Sequence, residues 1–252
     1  MVYPNVLMSL TQVFGMRPNR LNLIASAIRI SGLCNNKTLL EVGCGDGRVS
    51  IFLSQEFGCK VIGIDSSERM IASATKRAEA EKLAHQAKFF VADAVDLPFS
   101  NSIFDAVICE AVFSALEDKE KAAKEFMRVL KSGGKLLIID FVLRREIAKE
   151  LQSQMSFFPC LARTKLLEEY IRLFERVGFQ NPYAEDHSEE VRKIGRWIAY
   201  SYGSWDKLFA SLSLQSDSCS KKPKDLTSLL KACQAFYNEA ELGYALMVLN
   251  KP

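Results

Sequence analysis

From residue 38 to 141 the chain alternates between short apolar runs and longer stretches in which apolar residues return every third or fourth position. The runs read as strands and the spaced stretches as helices. Thr38–Val42, Lys60–Ile64, Lys88–Ala92, Phe104–Cys109 and Lys135–Phe141 are the predicted strands. Between them, Arg48–Phe57 carries Val49, Phe52, Leu53 and Phe57 on one stripe, and Lys119–Leu130 carries Ala122, Phe126, Val129 and Leu130. Ser67 is placed to cap a helix running towards Leu83, with Met70, Ile71 and Ala74 on its inner face. Ser132-Gly133-Gly134 closes the helix before the fifth strand. Further on, Thr164–Val177 is an amphipathic helix ending at Gly178, and a short strand follows from Phe179. Residues 187–210 are helix-compatible and aromatic, with Trp197, Tyr200, Tyr202 and Trp205; residues 211–224 are polar and loop-like. Asp225–Glu239 returns to a helical pattern, and Gly243–Leu249 is a last apolar strand.

Strands that alternate with helices imply right-handed crossovers and a parallel sheet. Their near-continuous apolar character means that both faces are covered. Four of the strands then end in acids: Glu41, Asp65, Asp93 and Glu110. In an open α/β sheet the carboxyl edge is where ligands bind. The first strand also runs into Gly43, Gly45 and Gly47 just before a helix begins. Glycines there let backbone approach a nucleotide-like ligand closely. A dinucleotide fingerprint would need its third glycine at position 48, which is Arg48, and no Tyr-x-x-x-Lys occurs in the chain. No Gly-Lys-Ser/Thr phosphate loop is present either.

The run Glu41-Val42-Gly43-Cys44-Gly45-Asp46-Gly47 resembles motif I of the class I S-adenosylmethionine-dependent methyltransferases. Asp93-Ala94, Leu97-Pro98-Phe99 with Phe104-Asp105, and Arg128-Val129-Leu130-Lys131-Ser132-Gly133-Gly134 resemble that family's later motifs, in order; Ser132 stands where the family has proline. The resemblance covers about residues 17–185 and the last strand. It implies a Rossmann-like three-layer α/β sandwich, with a seven-stranded, mostly parallel sheet whose last strand is antiparallel. It also implies a donor site. The loop residues Glu41, Gly43, Cys44, Gly45 and Gly47 would face S-adenosylmethionine, Asp65 its ribose hydroxyls, Ser66 and Met70 the flanks of its adenine, and Asp93 and Ala94 the adenine edge. Glu110 and Ala111 would complete the site after the fourth strand. S-adenosylhomocysteine would be the product.

A narrower resemblance is carried by Arg17-Pro18-Asn19-Arg20, Cys109-Glu110-Ala111-Val112-Phe113-Ser114, Asp118-Lys119-Glu120, Asp186-His187-Ser188 and Gly243-Tyr244. It points to a bacterial branch near the ubiquinone/menaquinone and arsenite methyltransferases. On that reading Phe14, Arg17, Phe113 and the 187–210 segment would shape an acceptor site. Cys160 reads either as a buried apolar thiol or as one ligand for trivalent arsenic, which would need about three converging thiolates. Cys219 and Cys233 are its candidate partners. His187 reads either as a structural residue or as a base. No catalytic base is assigned, because transfer of an activated methyl depends mainly on alignment.

Composition narrows the field further. The 252 residues are 48% hydrophobic, enough for one sizeable core. They divide into a helical segment over 1–36, a cofactor-binding core over 37–185, a helical insertion or cap over 186–240 and a last strand over 241–252, all in one domain. A net charge of +3, with bases and acids interspersed, gives no electrostatic argument for nucleic acid or for a membrane surface, and no nucleic-acid partner is expected. No run is long enough to span a bilayer, and Met1–Met16 lacks the basic start and cleavage site of a signal peptide. The seven scattered cysteines include no Cys-x-x-Cys, so neither a zinc site nor a disulfide framework is expected, and a reducing cytoplasm fits. The expected partner is a small-molecule methyl acceptor, with the chain a monomer or homodimer. Three alternatives stay open: a protein that binds S-adenosylmethionine or S-adenosylhomocysteine without turnover, an arsenite-type S-methyltransferase, and an NAD-dependent oxidoreductase.

Overall fold

A computed structural model describes residues 20–33, 35–154, 159–193 and 242–252. Helix α1 (Arg20–Ile30) comes first, then β1 (Thr38–Val42), α2 (Arg48–Phe57), β2 (Lys60–Asp65), α3 (Glu68–Ala80) and β3 (Ala87–Val91). There follow β4 (Phe104–Glu110), a 3-10 turn (Phe113–Ala115), α4 (Lys119–Val129) and β5 (Leu130–Val142). After β5 come α5 (Lys149–Gln154), α6 (Pro159–Ala162), α7 (Leu167–Val177), β6 (Gln180–Asp186) and β7 (Gly243–Asn250).

The strands form one seven-stranded sheet in the order β3-β2-β1-β4-β5-β7-β6. The first five pair in parallel, and β7 is antiparallel to both β5 and β6. The family-type sheet expected from the motifs is therefore present. The order reverses at β1, because the chain adds β2 and β3 on one side and then β4 and β5 on the other. A crevice opens at the carboxyl ends of strands where an open sheet reverses its order. The glycine run and Glu110 both lie at that point, after β1 and at the end of β4.

Each face of the sheet is sealed by a separate apolar layer. On one side α1 and α2 bury Leu23, Ile24, Ala27, Ile28, Val49 and Leu53 against Leu39, Val61 and Ile108. On the other, α4 and α7 bury Phe126, Val129, Tyr170 and Phe174 against Leu40, Val107 and Ile138. The stripe in α2 falls as its spacing predicts, and Ser67 caps α3 by accepting from the Met70 amide at 3.4 Å. Gly178 ends α7 in a left-handed conformation, φ 110°.

Several boundaries differ from the sequence expectation. Helix α3 stops at Ala80 rather than near Leu83, because Lys82 turns left-handed at φ 58°. Helix α7 begins at Leu167 rather than Thr164. Strand β3 starts and ends one residue early, so Asp93 lies beyond Ala92 in the loop after it. Strand β5 begins at Leu130 instead of Lys135: Leu130 pairs with Phe104, Lys135 pairs with Ala106, and a register shift absorbs Ser132-Gly133-Gly134. Of the segment expected as a cap, residues 188–193 are helical and 194–240 lie outside the described residues. No described helix is long and apolar enough to cross a membrane.

Candidate active site

Strand β1 ends at Val42, and the next five residues form a turn with Gly43, Gly45 and Gly47 all left-handed, at φ 71°, 54° and 78°. The turn is tied down by backbone: the Cys44 amide donates to Ile64 O at 2.8 Å, and the Gly47 amide to Cys44 O at 3.0 Å. The glycines meet different surroundings. A Cβ on Gly43 would stand 2.3 Å from the Val112 side chain, and one on Gly47 would stand 2.8 Å from the Phe89 ring and 2.9 Å from Ala74. A Cβ on Gly45 would meet nothing within 4 Å. Gly43 and Gly47 are therefore small because protein fills the space, whereas Gly45 leaves its space open.

Gly47 also resolves the position of Arg48. The close packing that a dinucleotide site assigns to its third glycine falls here on Gly47, the residue that caps α2. The Arg48 side chain lies on the surface and donates to Asp46 Oδ2 at 2.9 Å. Asp46 is gripped as well by Arg77 of α3, whose Nε donates to the Asp46 carbonyl at 3.0 Å and whose Nη2 donates to Oδ2 at 2.6 Å. Partial burial pushes the Asp46 carboxyl up, but the Arg48 hydrogen bond and the Arg77 charge outweigh it and hold the pKa below the ordinary value.

Asp65 closes the other side of the crevice. Its Oδ2 accepts from the Gly45 amide at 3.0 Å and its Oδ1 from the Ser67 amide at 2.9 Å. One carboxylate thus ties the open glycine to the start of α3. Each oxygen retains a second lone pair for a ligand hydroxyl. Ser66 is exposed beside it and Met70 is half-buried on α3. Asp93 is exposed, and it organises its own loop by accepting from the Val95 amide at 3.1 Å; Ala94 is buried.

The remaining acids at this edge are buried and face hydroxyls. Glu41 accepts from Ser50 Oγ of α2. Glu110 accepts from Tyr244 Oη of β7 at 2.7 Å. Glu41 pairs with Ile108, so alternation puts Glu41 and Glu110 on the same face of the sheet. Asp140 of β5 lies on the opposite face and accepts from Ser114 Oγ at 2.6 Å and the Ser114 amide at 2.8 Å. The sequence reading missed Asp140, although the signal was there: an acid inside the apolar run Leu136–Val142 near a strand end. It also missed Phe89 and Val112, which touch the turn from residues distant in sequence.

Two thiols border the site without serving as nucleophiles. Burial, reinforced by the Glu41 and Asp65 charges, pushes the Cys44 thiol far above its ordinary range. Burial and the Asp140 charge do the same to Cys109. Both stay protonated at neutral pH.

The residues expected to line an acceptor site are dispersed. Phe14 and Arg17 lie outside the described residues. Phe113 has no exposed surface; its ring packs on Phe126, Tyr170 and Phe174, with centroids 6.1, 5.7 and 4.9 Å away. It anchors the turn after β4 in the core and presents no surface to a ligand. Cys160 is half-buried in α6, against the apolar layer of α1 and α2. Cys219 and Cys233 lie outside the described residues, among which no group of three metal-binding side chains occurs. His187 does sit at the carboxyl edge, just past β6. Its amide donates to Tyr244 O at 2.7 Å and its Nε2 lies 3.0 Å from Glu185 Oε2.

Fit to a ligand can be judged from these contacts. The turn offers an open face at Gly45, a carboxylate at Asp65 suited to a pair of hydroxyls, and further carboxylates that favour positive charge along the edge. A sulfonium nucleoside meets each of these features. A pyrophosphate would be placed against the carboxylates instead.

Comparison with known proteins gives the same assignment. A family model described as a methyltransferase domain matches residues 33–195. The chloroplastic tocopherol O-methyltransferase of Arabidopsis thaliana is 29% identical over 213 residues, which are 79% of this chain and 61% of that enzyme. Among solved structures, phosphoethanolamine N-methyltransferase 2 of Haemonchus contortus, in complex with phosphomonomethylethanolamine and S-adenosylhomocysteine, superposes with a TM-score of 0.73 at 21% identity, over 98% of this chain and 57% of that one. The [4+2]-cyclase SpnF superposes with a TM-score of 0.72 at 22% identity, over 92% of this chain and 81% of that one. The chain spans about three-fifths of the length of the first two of these proteins.

Proposed function

The chain belongs to the class I S-adenosylmethionine-dependent methyltransferases, and from that premise we propose that it transfers a methyl group in line from S-adenosylmethionine to a small-molecule acceptor. The observation that carries the reading is the open face of Gly45 bridged to Asp65. When bound, the cofactor supplies a methyl group already activated by its sulfonium charge. The protein's task is then alignment and exclusion of water. Gly43, Cys44, Gly45 and Gly47 offer backbone to the amino-acid and ribose portions. Asp65 accepts from the ribose hydroxyls while keeping its bonds to Gly45 and Ser67. Ser66 and Met70 flank the adenine, and Asp93 with the Ala94 backbone reads its edge.

Glu41, held by Ser50, contributes negative potential under the turn rather than a direct contact. Glu110 and Ala111 separate donor from acceptor at the end of β4. His187, with Glu185 behind it, lies along the same edge within the acceptor half. No general base is required for an acceptor that is soft or already ionised.

Calorimetry with S-adenosylhomocysteine and with NAD tests the donor assignment. Binding of the first and not the second is expected; the reverse would overturn it. Methyl transfer from labelled S-adenosylmethionine to a panel of phenols, amines and thiols tests turnover. The likeness to a cyclase gives that second assay its weight, since this fold is not confined to methyl transfer. Tight binding with no transfer to any acceptor class would leave a cofactor-binding protein.

A further inference from the structure

The turn that follows β4 is held by charged groups that no step above uses. Ala111 is left-handed at φ 52°, and its amide donates to Ile139 O at 2.8 Å. Val112 then packs on Gly43, the first glycine of the cofactor turn, closely enough that a single added carbon on that glycine would overlap it. Phe113 is fixed by core aromatics and Ser114 is wholly buried. The Ser114 peptide is clamped from both ends. Asp140 takes its amide at 2.8 Å and its hydroxyl at 2.6 Å, and Lys119 donates from Nζ to its carbonyl at 2.8 Å. Lys119 also donates to Leu116 O at 2.7 Å, and Arg163 to Ala115 O at 3.1 Å.

This is a costly arrangement. Asp140 is fully buried and Lys119 nearly so, at 0% and 6% exposure. Burial lowers the Lys119 pKa to about 8, against the pull of the Asp140 charge. Lys119 lines a cavity of about 770 Å³ together with Leu143, Gln152, Arg163 and Glu169, and the glycine-turn residues are not among its lining. Buried ionic groups are weak evidence for stability, and apolar residues of similar volume would often serve as well. What this pair does that apolar residues cannot is fix the orientation of one peptide.

We propose that Asp140 and Lys119 are positioning residues that clamp Ser114 and thereby hold Val112 against Gly43, setting the width of the cofactor turn from the acceptor side of the sheet. The inference rests on the methyltransferase reading for its ligand. Its mechanical part, coupling from β5 to the 43–47 turn, does not. It also gives a physical route by which events at the acceptor side would be felt at the donor site.

The test is a double-mutant cycle read by calorimetry with S-adenosylhomocysteine. Asp140→Asn keeps shape and removes charge; it is expected to weaken binding by about tenfold, within the range found for mutations that couple through packing. Val112→Ala should weaken binding as well. The two losses together should fall well short of additive, because both act through one contact. Asp105→Asn, at the opposite edge of the sheet, should leave affinity unchanged. Additive losses, or wild-type affinity in Asp140→Asn, would overturn the proposal. If Asp140→Asn does not fold, Ser114→Ala removes only the hydroxyl bond and takes its place in the cycle. Amide exchange across Gly43–Gly47 gives a readout that needs no ligand. It should accelerate in Asp140→Asn, and unchanged protection there would refute the coupling. Failure of the wild type to bind S-adenosylhomocysteine would instead count against the methyltransferase reading.

Discussion

Replacing Gly45 and Gly47 by alanine, one at a time, separates the two kinds of glycine in the cofactor turn. Both are left-handed, so each methyl brings backbone strain of about 1–2 kcal/mol. Reduced freedom of the unfolded chain offsets about 0.4–1 kcal/mol of that. At Gly45 nothing lies within 4 Å of the new carbon, so the net loss of stability is small, about 1 kcal/mol. For a protein of this size that is a drop in Tm of about 2–4 °C. The methyl would instead occupy the space through which the ligand approaches. Crowding of that kind costs about 1–3 kcal/mol, which is about fivefold to 150-fold in affinity. At Gly47 the new carbon would meet the Phe89 ring at 2.8 Å and Ala74 at 2.9 Å. Crowding there adds about 1–3 kcal/mol to the strain and falls on the fold. Gly47→Ala should therefore lose more stability than Gly45→Ala, and Gly45→Ala should lose more affinity at a given stability. Thermal melts and calorimetry with S-adenosylhomocysteine measure the two quantities on the same samples. If Gly45→Ala binds within about twofold of wild type, the open face of the turn is not where the ligand lies, and the reasoning from empty space to binding fails.

Three further outcomes are expected. Asp65→Ala removes the acceptor for the Gly45 and Ser67 amides and for the ribose hydroxyls; hydrogen bonds to a charged group contribute about 1.5–3 kcal/mol each, so affinity for S-adenosylhomocysteine should fall at least tenfold, and unchanged binding by calorimetry would rule out the ribose role. Phe113→Ala should lose about 3–5 kcal/mol as a fully buried aromatic, seen as a large fall in the denaturation midpoint; a change confined to acceptor kinetics would return Phe113 to the pocket wall. Asp105 is pushed up by burial but pulled further down by the Thr38 amide, Lys131 and Lys37, so its folded pKa lies below the ordinary value. The stability it contributes is present above the unfolded pKa and is lost as pH falls through the folded one. The gap in urea stability between wild type and Asp105→Asn should accordingly close as pH falls below the ordinary aspartate pKa and through the lowered folded one. A gap that persists in acid would contradict that ion network.

The glycine turn was legible because it is made of consecutive residues at a strand end. A run of apolar residues, an acid and alternating glycines specify a strand, its carboxyl edge and a left-handed turn, and none of these needs a distant partner. The same logic placed Asp65 at the end of β2, whereas Asp93 falls in the loop two residues past Val91, and it would have flagged Asp140 had the acid within Leu136–Val142 been counted with the others. What stayed illegible is held by contacts across the fold. Tyr244 reaches Glu110 from 134 residues away, and Phe89 supports Gly47 from β3. Phe113 shows the limit most plainly. Three residues past a strand end, an aromatic side chain invites the reading of a pocket wall. That reading assumes the chain keeps its alternation, and the left-handed Ala111 breaks it, turning Phe113 into the core and Val112 onto Gly43. One residue with a positive φ thus reassigns which side chain meets the cofactor turn. Loops that follow the elements of a rigid scaffold carry binding and catalytic residues in many folds, and the turn after β4 is such a loop. It follows that substitutions at Ala111, where glycine would relax and a β-branched residue would oppose the left-handed backbone, should alter the acceptor side and the donor turn together, and not either one alone.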